Sequence, residues 1–249
     1  MKDRETLILE RLSRDGQAGV SELSEALGVS QVTIRKDLGQ LEKRGIIVRE
    51  HGKARLVSSE NISGRIAAHY EAKMAIAREA AKLIHDGDIV MIESGSSCAL
   101  LADELCRTRR DLTIITNSAF IAERIRQANH IEVVLLGGIL QEDSHTLTGP
   151  LVALCAENFY ADYCFIGTDG WSEQTGFCNK DTMRGQAVRD MVRQCDAAVV
   201  LTESEKFARR GNIPLNLRGK VKMTVTDDHI DEETVKRIEA TGVEVRRAR

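Results

Sequence analysis

No stretch of this chain is apolar for long enough to span a bilayer, and no apolar segment follows the charged start Met1-Lys2-Asp3-Arg4-Glu5 as in a secretory signal. A cytoplasmic protein is expected. The six cysteines, at 98, 106, 155, 164, 178 and 195, form no C-x-x-C pair and stand by no histidine cluster, so buried reduced thiols are expected in place of disulfides or zinc ligands. The sequence has only two prolines and shows no internal repeat or low-complexity tract. It also lacks the G-x-x-x-x-G-K-[ST] run of a nucleotide-triphosphate loop and the G-x-G-x-x-G of a dinucleotide site. Neither a metal nor a cofactor is indicated. Its six histidines have no partner arrangement that points to catalysis.

What is present begins with the run from Gly19 to Gly45. Leu23, Ala26 and Leu27 recur at helical spacing after Ser21, a plausible N-cap, and Gly28 ends that helix. Ser30 caps a second helix in which Ile34, Leu38 and Leu41 share one face. The opposite face, centred on Val32, Lys36 and Gln40 and flanked by Thr33 and Arg35, must look outward. Arginine and lysine there can fork onto guanine or neutralise phosphate, and an exposed valine can pack on a thymine methyl. A solvated surface hairpin would explain a short basic patch alone. Here, however, more basic residues follow in Arg49-Glu50-His51-Gly52-Lys53-Ala54-Arg55, between Ile46-Ile47 and Leu56-Val57, which reads as two short strands joined at Gly52.

With V-S-Q-V-T-I-R-K-D-L and R-E-H-G as the matching motifs, residues 3–58 resemble the winged helix-turn-helix of the DeoR family of bacterial regulators, the helix-turn-helix itself being 20–39. The resemblance implies contact with double-stranded operator DNA through Gln31, Val32, Thr33, Arg35, Lys36, Gln40, Arg49, His51 and Lys53. Lys53 departs from the family, which usually has a second glycine there, and adds a candidate phosphate contact. Residues 1–58 hold 11 basic and 9 acidic residues, net +2, while the remainder holds 24 and 29, net −5. With so small an excess, local clustering and paired copies of the head must supply DNA affinity.

Residues 59–64 read as a linker, and 65–249 are ample for one large core. Past the linker, helix and strand alternate. A long helix is expected from Arg65 to His85, then buried strands at 89–92, 112–115, 131–135, 163–166, 197–201, 221–225 and 243–245, with a helix at 231–240 between the last two. Such alternation predicts an α/β domain with a mainly parallel sheet, which binds ligands at the carboxyl ends of its strands.

The loops at those ends are rich in small and polar residues. Glu93-Ser94-Gly95-Ser96-Ser97 opens a helix, where free N–H groups, hydroxyls and the helix dipole converge as a cradle for one small phosphate. Alone, it reads equally well as an ordinary serine-capped turn. Repetition raises its weight: Thr116-Asn117-Ser118, Gly137-Gly138, Gly167-Thr168-Asp169-Gly170 and Glu203-Ser204-Glu205-Lys206-Phe207 follow successive strands. Residues 73–246 resemble the DeoR-family effector domain, itself similar in fold to ribose-5-phosphate isomerase and the sugar-phosphate deaminases. That resemblance implies a phosphorylated sugar as effector: Ser94, Gly95, Ser96 and Ser97 would hold phosphate, Asn117 and Asp169 sugar hydroxyls, and Lys206 would supply positive charge. Arg184 stands where many relatives carry a carboxylate, so the pocket either favours a more anionic ligand or has lost the usual effectors.

Two functions compete. One is a DNA-binding transcriptional regulator, expected to act as a repressor, whose second domain senses a sugar phosphate and which joins as an even-numbered homo-oligomer through 65–249. The other is a sugar-phosphate isomerase carrying a DNA-binding head. Isomerisation needs a carboxylate base with further acid and base groups, and only one carboxylate stands in the loop around Asp169, so binding without turnover is the better reading.

Overall fold

The computed structural model describes residues 4–43, 46–50, 52–56 and 62–249. They divide into two compact units, one reaching Glu71 and the other running from Ala72 to Arg249.

The first unit begins with α1 (Arg4–Asp15), β1 (Gln17–Gly19), α2 (Val20–Leu27) and α3 (Gln31–Lys43). Two short strands follow, β2 (Ile47–Glu50) and β3 (Lys53–Leu56), and then α4 (Ile62–Ala67). Its core joins the expected stripes, Leu23 from α2 and Ile34, Leu38 and Leu41 from α3, to Ile8, Leu9 and Leu12 of α1, a helix the sequence pattern had not marked. Arg4 reaches from α1 to the buried Asp37 of α3, with Nε 2.5 Å and Nη2 3.0 Å from its carboxylate. Strands β2 and β3 pair antiparallel, and β3 also takes up β1, which the sequence pattern had not revealed.

Three local expectations are corrected here. The N-cap of α2 is Gly19 and not Ser21, because Glu22 reaches back to accept the Gly19 N–H at 2.8 Å. The long helix from Arg65 to His85 is two helices, α4 and α5 (Tyr70–Ala81), parted at His69, whose φ of 53° cannot continue a right-handed helix. Residues 62–64, expected as the end of a linker, form the first turn of α4, and all three are buried. The Gly28 stop stands, with φ 65° in the left-handed region that glycine tolerates.

The second unit continues through β4 (Ile89–Ile92), α6 (Ser96–Thr108), β5 (Leu112–Thr116), α7 (Ala119–Ile125), β6 (Ile131–Leu135), β7 (Ile139–Gln141) and β8 (Thr146–Thr148). Next come α8 (Pro150–Ala156), β9 (Ala161–Ile166), β10 (Gly170–Ser172), β11 (Gly176–Asn179), α9 (Thr182–Arg193) and β12 (Cys195–Leu201). A 3-10 turn (Ser204–Ala208), β13 (Ile213–Pro214), β14 (Val221–Asp227), α10 (Glu232–Glu239) and β15 (Glu244–Ala248) complete it.

Seven strands form one sheet in the order β15-β14-β12-β9-β4-β5-β6, every neighbouring pair parallel. Past their first residues the inner strands bury both faces, as the apolar runs 90–92 and 198–201 require of a parallel sheet. Between β4 and β9 the winding reverses: the chain builds β5 and β6 to one side of β4, then crosses to build β12, β14 and β15 beyond β9. Loops leaving the carboxyl ends of β4 and β9 diverge at such a point and open a crevice, the usual ligand position in open α/β sheets. Two accessory pieces, the β7–β8 hairpin and the β10-β11-β13 sheet, were not legible as strands in the sequence.

Candidate functional site

On the first unit, α3 presents Gln31, Val32, Arg35, Lys36 and Gln40 outward, Val32 with 73% of its surface exposed, while Thr33 is half-buried. Ser30 caps the helix by accepting the Thr33 N–H at 3.2 Å. Arg35 is steered by its own helix: its Nη2 donates to Gln31 Oε1 at 3.1 Å, and Gln31 Nε2 donates in turn to Ser21 Oγ at 3.2 Å. Ser21 thus orients α3 and does not cap α2. Together Gln31, Arg35, Arg49 and Lys53 line one cavity of about 590 Å³ between α2, α3 and the β2–β3 wing. Arg49 pairs loosely with Glu42 at 3.6 Å, and Arg55 with Glu50 at 3.1 Å. Both pairs are exposed, so phosphate can displace them at little cost. His51 lies outside the described residues. A Cβ at Gly39 would meet nothing within 4 Å, so packing does not explain that glycine.

In the second unit the expected effector residues fall at the β4/β9 switch point or beside it. Glu93 leaves β4 and is itself buried. Its Oε1 accepts from Ser94 Oγ at 2.7 Å and its Oε2 from the Gly167 N–H beyond β9 at 3.2 Å, tying the two diverging loops together. Gly95 and Gly167 face each other so closely that a Cβ on Gly95 would lie 3.4 Å from the Gly167 Cα and 3.2 Å from Glu93 Oε2. Helix α6 then starts at Ser96 with no side-chain cap, so its first N–H groups have no partner within the helix. Ser96 and Ser97 are buried.

The register Ile92↔Thr116 sets Asn117 beside Glu93. Asn117 donates to the Leu147 carbonyl at 3.1 Å, and its Oδ1 is buried without a hydrogen bond. Asp169 accepts the Lys180 N–H at 3.0 Å, which holds the loop after β11. At the end of β12, Glu203 is buried between two ammonium groups, Lys73 at 3.0 Å and Lys206 at 3.2 Å. Burial alone would raise the Glu203 carboxyl, but the two lysine charges and the Lys73 hydrogen bond outweigh it and hold the pKa at about 2. Burial in turn pulls the Lys73 ammonium below its ordinary value, against the attraction of Glu203. The buried Cys98 thiol is pushed up first by burial and then by Glu93, and pulled down by Lys206, so both charges act on one atom of α6.

Residues that the sequence pattern left out therefore complete the cluster: Lys73, Glu93 and Glu203, with Arg184 4.0 Å from Glu93. Lys73 had a signal. It occupies the buried face of α5 in line with Ile76, Ala77 and Ala80, a position where an unpaired charge is not tolerated. Among the described residues, no group of three or more His, Cys, Asp or Glu could hold a metal ion, and no helix is long and apolar enough to cross a membrane.

A winged helix-turn-helix with an outward basic helix, followed by an α/β unit with a cluster of charged groups at its strand ends, defines a DNA-binding transcriptional regulator with a sensor domain. The chain belongs to the DeoR family: residues 4–60 match the DeoR-like helix-turn-helix domain and residues 68–228 the DeoR C-terminal sensor domain. It is 32% identical to the HTH-type transcriptional regulator GolR of Listeria innocua serovar 6a, over 98% of this chain and 97% of that protein. It is also 29% identical to the HTH-type transcriptional repressor GlcR of Bacillus subtilis, over 98% and 95%. Among solved structures, ribose 5-phosphate isomerase A of Methanocaldococcus jannaschii aligns with a TM-score of 0.42 and 20% identity, covering 56% of this chain and 55% of that one. At that score the likeness has no bearing on the site.

Proposed function

We propose that this regulator is a repressor whose sensor domain binds a phosphorylated sugar at the β4/β9 switch point, and that occupancy changes its affinity for operator DNA. The observation that carries this reading is the charge of the buried cluster. Lys73 and Lys206 stand against Glu203 and Arg184 against Glu93, three cations to two carboxylates before Asp169 is counted, beside the uncapped start of α6. Phosphate fits at Gly95–Ser97 and Lys206, and sugar hydroxyls fit at Asn117 Oδ1 and Asp169. Operator bases and phosphates fit at Gln31, Val32, Thr33, Arg35, Lys36 and Gln40 with Arg49, His51 and Lys53 of the wing. Binding without turnover is favoured because both buried carboxylates are engaged, Glu93 by Ser94 and Gly167 and Glu203 by two lysines, so neither stands free as a base. One head reads few base pairs, so we assign 3–58 to DNA reading and 65–249 to sensing and to joining an even number of subunits on repeated half-sites.

The test is operator binding by the full chain across a panel of sugar phosphates. One of them should shift wild-type affinity at least tenfold, and Lys206→Met should raise the concentration needed at least tenfold. Trp171 supplies an independent signal, because it is buried edge-on against Phe207, the neighbour of Lys206, with ring centroids 6.3 Å apart. No shift with any member of the panel would sink the reading.

A further inference from the structure

Three half-buried arginines of the second unit are satisfied. Arg124 forks onto Asp103 at 2.6 and 2.7 Å, Arg109 donates to the carbonyls of Ile84, Thr108 and Ala81, and Arg189 donates to Gln186 and Pro214. Arg184 differs. Its backbone N–H caps α9 on Asp181 at 2.7 Å, but its guanidinium donates no hydrogen bond to any described residue. The Nε is buried without a partner, and Nη2 stops 4.0 Å from Glu93 Oε1, an oxygen already taken by Ser94. Only 17% of the side chain is exposed. Withdrawing a cation from water without hydrogen bonds is costly, and a structure that holds one in this state has a group poised for an incoming acceptor.

The fork suits a planar or tetrahedral oxyanion, because its N–H groups engage two oxygens at once. It is also distinct from the other cationic subsite. Lys206 and Lys73 share Glu203 at the end of β12, whereas Arg184 faces Glu93 at the end of β4. Asn117, only 1% exposed and beside Glu93 in the register, keeps Oδ1 open for a hydroxyl donor. We infer that the effector carries two anionic groups, one held by Lys206 and the start of α6, the other by the Arg184 fork: a sugar bisphosphate or a phosphorylated sugar acid. The inference rests on the sugar-phosphate reading of the same crevice.

Fluorescence titration of Trp171 in the full chain tests it, using ketose and aldose monophosphates each matched with its bisphosphate, together with 6-phosphogluconate. A bisphosphate or the phosphorylated acid should bind wild type at least tenfold more tightly than its matched monophosphate. Whichever of the two wins identifies the second anion as phosphate or carboxylate. Arg184→Met should erase the preference, losing at least tenfold for the two-anion ligand and less than twofold for the monophosphate. Arg184→Lys, which keeps the charge but not the fork, should restore part of it. Equal binding of mono- and bisphosphate to wild type would overturn the inference without any variant, and so would an equal loss of both in Arg184→Met. Either result leaves the sugar-phosphate reading standing, whereas silence toward every phosphate-bearing probe sinks both.

Discussion

The two units place chemistry in opposite ways. On the head, Val32, Arg35, Lys36 and Gln40 are exposed and the ion pairs of Arg49 and Arg55 lie in solvent. In the sensor, Ser94, Ser97, Asn117, Lys73 and Glu203 are buried, each at most 5% exposed. A polymer can be met only by side chains that stand out from the surface, and their charges cost little because water screens them. A small ligand is enclosed instead, and enclosure makes every charge expensive unless it is paired. The head can therefore change a surface residue without losing its fold. The sensor domain cannot treat its cluster so lightly, since the same groups serve binding and stability.

The largest effect expected from that contrast is in the sensor. Lys73→Met removes the nearer of the two cations on buried Glu203 and should cost about 3 kcal/mol, the usual range for breaking a buried pair, read from Trp171 fluorescence on denaturation. The same carboxylate predicts a pH limb. Its folded pKa of about 2 lies below the ordinary 4.5, so its stabilisation is complete above pH 4.5 and drains as pH falls toward 2. Lys73→Met should flatten that limb. A cost under about 1 kcal/mol with an unchanged acid slope would make the pair no stronger than a surface one and remove the contrast.

On the head, Arg35→Ala should weaken operator binding by about 1–3 kcal/mol, and binding to random duplex far less, if the fork steered by Gln31 reads a base edge. Equal losses on both DNAs would make Arg35 a phosphate contact. The smallest effect belongs to Lys53→Ala at the wing: under about 1 kcal/mol on every sequence, with the slope of log affinity against log salt falling by about one. An unchanged slope would keep the wing tip off the DNA.

Legibility followed the same division. The outward face of α3 could be read from Ile34, Leu38 and Leu41 alone, because helical period assigns the opposite residues to solvent. Strand β4 was expected at 89–92 and lies at Ile89–Ile92, since an unbroken apolar run flanked by polar turns allows little else. The break at His69 was hidden: the residues from 65 to 85 keep a helical pattern through it, and only the backbone shows that φ turns positive there. Ser21 was misread for a related reason. Serine before an apolar run is a sound cap signal, but Glu22 reaches Gly19 first and frees Ser21 for Gln31.

By itself the sequence determined the elements and their faces: a helix-turn-helix with a basic outer side, a wing, and alternating helices and strands that demand a buried parallel sheet. Those properties follow from period and turn chemistry, which act over a few residues. The tertiary structure alone decided that β4 and β9 become neighbours and that the winding reverses between them. It brought Lys73 to Glu203 and Arg184 to Glu93 from four separate stretches of chain. The physical reason is distance along the chain. Charges this far apart in sequence, with Glu93 and Arg184 in one pair and Lys73 and Glu203 in the other, leave no periodic trace of their pairing, and only the cost of burying them alone reveals that they meet.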